Sequence, residues 1–327
     1  MTRTTVDSGL IRNAVMLACR APSLHNSQPW RWVAEGPVVH LFADRGRIGH
    51  GTDSSGREVI LSCGAVLDHF RVAMAASGWD SATDRFPNPN DPDHLATLDF
   101  SRMEFVTEAH RRRADAILRR RTDRLPFAAP TDWNSFELLL DDTLADRDAM
   151  LDVVPDAARP QLAKASRLTE ELRRYDSSYQ AELHWWTSPF ETDEGVPPTS
   201  LLSESEAGRV DVARAFPTTG HTQRRPEYGS DRSKIVALST SDDTRGEVLR
   251  CGEVLSTVLL ECTMAGLATC TLSHMTEMAA SRDIIRGLTG QNGLPQLLIR
   301  IGRTPAVEDL PPATPRRPVN EVLRFRG

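Results

Sequence analysis

Two stretches of this chain carry the same helical pattern of apolar and polar positions. Leu10, Ile11, Ala14, Val15 and Ala18 recur at three- and four-residue spacing, so residues 10–20 predict one amphipathic helix, with Asp7 or Ser8 in place to cap it. A strand follows at 38–43, then a glycine-punctuated loop from Gly46 to Gly56. A longer helix covers about 57–77, striped by Ile60, Leu61, Cys63, Leu67, Phe70 and Met74 and ended by Gly78. Residues 86–92 are rich in proline and asparagine and read as loop, and 96–100 read as strand. A shift of 188 (251 − 63) lays Cys63-Gly64 on Cys251-Gly252, Val66-Leu67 on Val254-Leu255 and Gly78 on Gly266. Strand-like runs at 95–100 and 296–302 follow the two helices, and another at 234–239 precedes the second. This self-similarity predicts an internally duplicated α+β chain, a pseudo-dimer whose halves span 1–107 and 108–327.

Between the first helix and strand lies Ala21-Pro22-Ser23-Leu24-His25-Asn26-Ser27-Gln28-Pro29-Trp30-Arg31-Trp32. Pro22 stops the helix and Pro29 closes the far side, because each lacks an N–H and restricts the residue before it. The loop between them offers backbone and amide groups to a flat ring's polar edges, while an indole covers a face. An ordinary helix-to-strand loop satisfying its own backbone is the other reading of the same residues.

Composition narrows the chemistry. The chain has 327 residues, room for a large core, and a net charge of −6, which favours neither nucleic acid nor an anionic membrane. It lacks an uninterrupted run of about 18 apolar residues, and its start, MTRTTVDSG, is polar where a signal peptide is apolar. The five cysteines, at 19, 63, 251, 262 and 270, form no C-x-x-C pair, so a reduced, cytoplasmic protein is expected. No H-E-x-x-H, P-loop, G-x-S-x-G or G-x-G-x-x-G motif occurs, and no histidines stand at metal-binding spacing. An enzyme of this composition would borrow its chemistry from a cofactor.

P-S-x-x-N-x-Q-P-W after an amphipathic helix resembles the flavin-contacting loop of the nitroreductase family, whose members are FMN-dependent intertwined homodimers. The fuller form A-P-S-x-H-N-x-Q-P-W-R-W resembles the Acg-type, dormancy-associated mycobacterial branch, over nearly the whole chain and most firmly over 10–45. The resemblance implies that Pro22, Ser23, Leu24 and Asn26 line the isoalloxazine, with Gln28, Trp30 and Trp32 stiffening the loop. A helix over 108–124 ends in Arg120, Thr122 and Arg124, the R-x-[ST]-x-R pattern that holds the FMN phosphate in this family; a solvated basic helix is the alternative. In the proline-rich tail Arg316, or less well Arg317, matches a further phosphate ligand, and Thr271, Leu272 and Ser273 would approach the other side of the ring.

The segment at about 185–230 has no counterpart in the duplication and would act as a lid, its start anchored by Trp185-Trp186 and Phe190. The first half carries the P-S-x-x-N loop without an R-x-[ST]-x-R, and the second half the reverse. One FMN per chain in a self-contained monomer follows, with no metal and no essential protein proton relay. Two functions stay open. One is NAD(P)H-dependent reduction of nitroaromatics or quinones; the other is non-enzymatic storage or sequestration of flavin beneath the lid.

Overall fold

The structure is a computed structural model describing residues 5–47, 49, 51–188, 193–220, 223–290, 293–306 and 312–326. Asp7 opens helix α1 (Ser8–Ala18), its carboxylate accepting from the N–H groups of Gly9 and Leu10. Strands β1 (Trp30–Glu35) and β2 (Val38–Ala43) form a hairpin. Helix α2 (Arg57–Ala76) ends where Gly78 adopts φ +83°, a conformation glycine takes without strain. Strands β3 (Trp79–Arg85) and β4 (His94–Arg102) follow, then helices α3 (Glu108–Arg119) and α4 (Trp133–Leu144). The chain continues through β5 (Met150–Val153), α5 (Arg159–Arg173), α6 (Ser177–Trp186), the one-turn α7 (Glu204–Ala207) and β6 (Lys234–Thr240). It closes with α8 (Arg245–Met264), β7 (Ala268–Leu272), α9 (Ala279–Thr289), β8 (Leu294–Gly302), α10 (Val319–Val322) and β9 (Leu323–Arg326).

The strands make two sheets, ordered β3-β4-β2-β1-β9 and β7-β8-β6-β5. Their first four members match place for place, and all those pairings are antiparallel. Among the described residues, β9, parallel to β1 with Leu323 opposite Trp32, has no counterpart. The tail of the second half thus completes the sheet of the first.

Between the sheets α2 packs on α8, at the two glycines that stood 188 apart. A Cβ on Gly64 would lie 2.1 Å from the Leu249 carbonyl oxygen, and one on Gly252 would lie 2.2 Å from that of Leu61. The same offset relates Asp68 to Ser256, whose hydroxyl donates to the Asp68 carboxylate at 2.6 Å. Glycine is required because the two backbones nearly touch. By length and composition α2 could cross a membrane, but it is buried in this core.

Several boundaries differ from the sequence reading. Trp30–Glu35 is a strand, so Trp30 and Trp32 are core residues, and β3 escaped notice because its outward positions are polar. The arginine-rich helix stops at Arg119 instead of running to residue 124. Trp186 is buried as expected, whereas Trp185 is exposed. Phe190 lies outside the described residues.

Candidate functional site

The loop after α1 is unusually bent for its composition. His25, Asn26 and Gln28 all take left-handed φ, at +51°, +58° and +51°. Such residues cost about 1–3 kcal/mol each and persist where surrounding bonds over-determine them. Here the Ser62 hydroxyl accepts from the Leu24 N–H, the Ser23 hydroxyl from the Gln28 N–H, and the Pro29 carbonyl from the Asp44 N–H. The bends turn Pro22 to Asn26 toward a cavity of about 630 Å³, within the usual range for small-molecule sites.

More of the lining comes from later in the chain. After α3 the chain becomes extended, and Thr122 bridges to Thr269 beside β7. Arg120, Thr122 and Arg124 line the cavity, as do Arg121 between them and Thr271, Leu272 and Ser273 at the end of β7. At the corresponding place in the second half, α4 is joined to β5 by residues 145–149 alone, with no proline-serine-asparagine loop.

Positive charge predominates in the lining. Nine arginines line the cavity against the four carboxylates of Glu58, Glu170, Glu171 and Asp211. Arg20, Arg120, Arg121 and Arg316 form a group bonded only to backbone carbonyls among the described residues. Arg120 donates to the Arg20 carbonyl at 3.0 Å, and Arg316 to the carbonyls of Cys19 at 2.8 Å and Thr314 at 3.0 Å. Burial, with Arg20 and Arg121 nearby, pushes Arg120 down to about 10. Burial followed by repulsion from Arg120 and Arg20 holds Arg316 well below its ordinary value. Among the described residues no carboxylate pairs with any of these four guanidiniums.

Arg124 belongs elsewhere. Its charged neighbours are Asp123 and Arg214, and its guanidinium lies 5.0 Å from the Phe216 ring centre. It is not among the charged neighbours that shift Arg20, Arg120 and Arg316. His25 is stacked on Trp186 and edge-on to Phe216, its Nε2 without a partner. Burial, then Arg214 and Arg124, holds its pKa far below the ordinary value, so the imidazole is neutral. The Asn26 Oδ1 is likewise buried, and among the described residues neither it nor the His25 Nε2 has a hydrogen-bond partner.

Four expected site residues do not reach the cavity. Trp30 and Trp32 are fully buried under the first sheet, Trp32 against Phe70 at 4.8 Å. Gln28 is bonded into the protein on both ends of its amide, and Arg317 turns to Glu321 and the Gln28 carbonyl. Sequence reasoning in turn missed Arg20 and Arg121, although both flank motifs already singled out. It also missed Glu58, Arg214 and Phe216, which no local pattern marks.

The stretch after α6 contributes Val196, Pro197, Leu202, Val210 and Phe216 to the cavity lining. It is tied down. Arg214 pairs with Glu277 and donates to the Tyr179 hydroxyl at 2.8 Å. Burial works against charge on Glu206, yet the Arg224 fork and the Ser203 and Arg224 N–H groups hold that carboxyl at about 2.

No protein-family model matches the chain. It is 60% identical over 327 residues to the Mycobacterium tuberculosis protein named "Putative NAD(P)H nitroreductase acg", covering 100% of this chain and 99% of that one. A second relative from that organism, "Putative NAD(P)H nitroreductase Rv3131", is 35% identical over 322 residues, covering 98% and 92%. Among solved structures, "a putative nitroreductase" from Anabaena variabilis superposes with a TM-score of 0.50 at 9% identity, over 90% of this chain and 73% of that one, a likeness of fold. The chain belongs to the nitroreductase family. Its α+β architecture is the nitroreductase fold.

Proposed function

We propose that the chain is an FMN-dependent oxidoreductase using NAD(P)H to reduce nitroaromatics or quinones, with one FMN per chain. The observation carrying this reading is the group of Arg20, Arg120, Arg121 and Arg316 in the cavity lining, which pairs with no carboxylate among the described residues. Clustered guanidiniums repel one another, and a phosphate dianion relieves that repulsion through charge-assisted bonds. The unpartnered Asn26 Oδ1 and His25 Nε2 fit the polar edge of a flavin ring. Pro22, Ser23 and Leu24 supply one wall for the ring, and Thr122, Thr271, Leu272 and Ser273 the other. Arg124 is better placed for the ring than for the phosphate.

Bound FMN supplies the hydride chemistry; the protein binds, orients and excludes water. The Arg20 cluster fixes one end of the cofactor. The bent 22–26 loop sets the plane of the ring, and neutral His25 adds no charge beside it. The covering segment keeps solvent from the ring. In the same reading the halves descend from a duplication, one site is kept because only one P-S-x-x-N loop survives, and the monomer is self-contained and cytoplasmic.

The tied-down covering segment favours a second reading, a flavin-storing protein whose closed lid bars a nicotinamide. One experiment separates them: mix purified holoprotein with NADPH anaerobically and follow flavin absorbance. Prompt bleaching, with turnover of a nitroaromatic, supports the reductase. Bleaching by a small chemical reductant but not by NADPH supports storage.

A further inference from the structure

We propose that Gln28 is a positioning residue that locks three separate segments into the cavity wall: its own loop, the start of the covering segment at Asp193, and the C-terminal tail at Arg317. The side chain is fully buried and does not face the cavity. Its Nε2 donates to the Asp193 carbonyl at 2.7 Å and to the Asn26 carbonyl at 3.2 Å. Its Oε1 accepts from the Arg317 N–H at 2.9 Å, and the Arg317 guanidinium returns to the Gln28 carbonyl at 3.3 Å. Those partners stand 165 and 289 residues away along the chain.

The chemistry requires an amide. A donor and an acceptor must sit on one planar group, which glutamine has, while glutamate offers only acceptors and leucine neither. Every partner of the amide is main chain, so no partner side chain can substitute for it. The left-handed φ of Gln28, held by the Ser23 hydroxyl on its N–H, directs the side chain inward to this junction. Beside it Arg47 donates to the Ser27 carbonyl at 2.8 Å and pairs with Glu194, a second tether to the covering segment.

Both attachments bear on the cavity. Arg317 follows Arg316, one of the cluster arginines, so freeing the tail loosens that guanidinium. Asp193 precedes Gly195, Val196 and Pro197, which line the cavity. The far part of the covering segment is held independently by Arg214 with Glu277 and by Glu206 with Arg224. Loss of the amide should therefore loosen residues 193–202 and 312–318 and leave 206–220 as they are.

Hydrogen exchange on the purified full-length chain tests this, comparing wild type with Gln28→Leu, Gln28→Glu and Arg47→Ala. Gln28→Leu should raise exchange about tenfold in 193–202 and 312–318, the loss expected for one or two buried hydrogen bonds, with 206–220 and α2 unchanged. Gln28→Glu keeps the acceptor for Arg317, so it should loosen 193–202 while 312–318 stay protected. Arg47→Ala should loosen 193–202 alone. Unchanged exchange in Gln28→Leu overturns the proposal. So does a rise throughout the chain, or identical behaviour of the Glu and Leu variants. Should Gln28→Leu fail to fold, the split between the two segments in Gln28→Glu decides. A second readout, FMN release about tenfold faster in Gln28→Glu, rests on the cofactor reading above. Its failure beside the expected exchange pattern counts against that reading and not against the tether.

Discussion

Adding one methyl group at Gly64 sets two large effects against each other. In an isolated helix Gly→Ala stabilises by about 1 kcal/mol. At Gly64, however, the new Cβ would stand 2.1 Å from the Leu249 carbonyl oxygen and 2.8 Å from the Gly252 Cα. Favourable heavy-atom separations begin near 3.5 Å, so α2 and α8 must part by about 1 Å at their closest point. The obstacle is backbone, which cannot rotate aside, so overpacking should cost about 3–5 kcal/mol before the propensity gain and about 2–4 after it. Gly252→Ala meets the Leu61 carbonyl at 2.2 Å and should cost the same. Once one substitution has separated the helices the second has less to do, so the double variant should fall short of the sum by about 1–2 kcal/mol. Urea unfolding of the two single variants and the double variant measures all three values. A stabilising single substitution, or full additivity, would refute the close helix contact on which the two-sheet fold is built.

The cluster arginines differ in expected effect from their neighbours. Arg120→Ala or Arg316→Ala should weaken FMN binding by roughly ten- to a hundredfold, about 1.5–3 kcal/mol for a bond to a charged group, in a fluorescence titration of apoprotein. Arg317→Ala, whose side chain turns away, should change affinity less than threefold. The buried Glu58 carboxyl is pushed up to about 7 by burial, which outweighs the paired Arg57, with Glu277 and Asp53 adding to the rise. A raised carboxyl pKa means the folded state holds the proton more tightly. Its stabilisation is therefore full below about 4.5 and lost as pH rises to about 7, at most about 3 kcal/mol. Unfolding of wild type and Glu58→Gln across pH 4–8 should show a shallower decline in the variant, and parallel curves would exclude Glu58 as its source.

The long helices and the turn glycines were legible because each pattern is local. The 20 residues of α2 carry an apolar stripe, and Gly78 and Gly266 mark the two stops. The Cys-Gly pair was legible as a repeat, but only the packing shows that its glycine is the point where two backbones meet. The tryptophans misled. An indole beside a cofactor loop and an indole in a core have the same sequence signature, and the strand under Trp30 and Trp32 decides between them. The arginine motif was read as the end of a helix, although its i, i+2, i+4 spacing fits an extended chain better. Arg214, Glu277 and Tyr179 lie far apart in sequence and in stretches without periodicity, so their meeting follows from tertiary structure alone.

The central claim is that one flavin mononucleotide per chain is held by its phosphate on the Arg20–Arg120–Arg316 group. Titration of apoprotein with FMN and, in parallel, with riboflavin tests it most directly, since the two ligands differ only in that phosphate. The account predicts one FMN per chain, an affinity for FMN at least a hundredfold above that for riboflavin, and loss of most of that preference in Arg316→Ala. Two FMN per chain, or equal affinity for the two flavins, would contradict it.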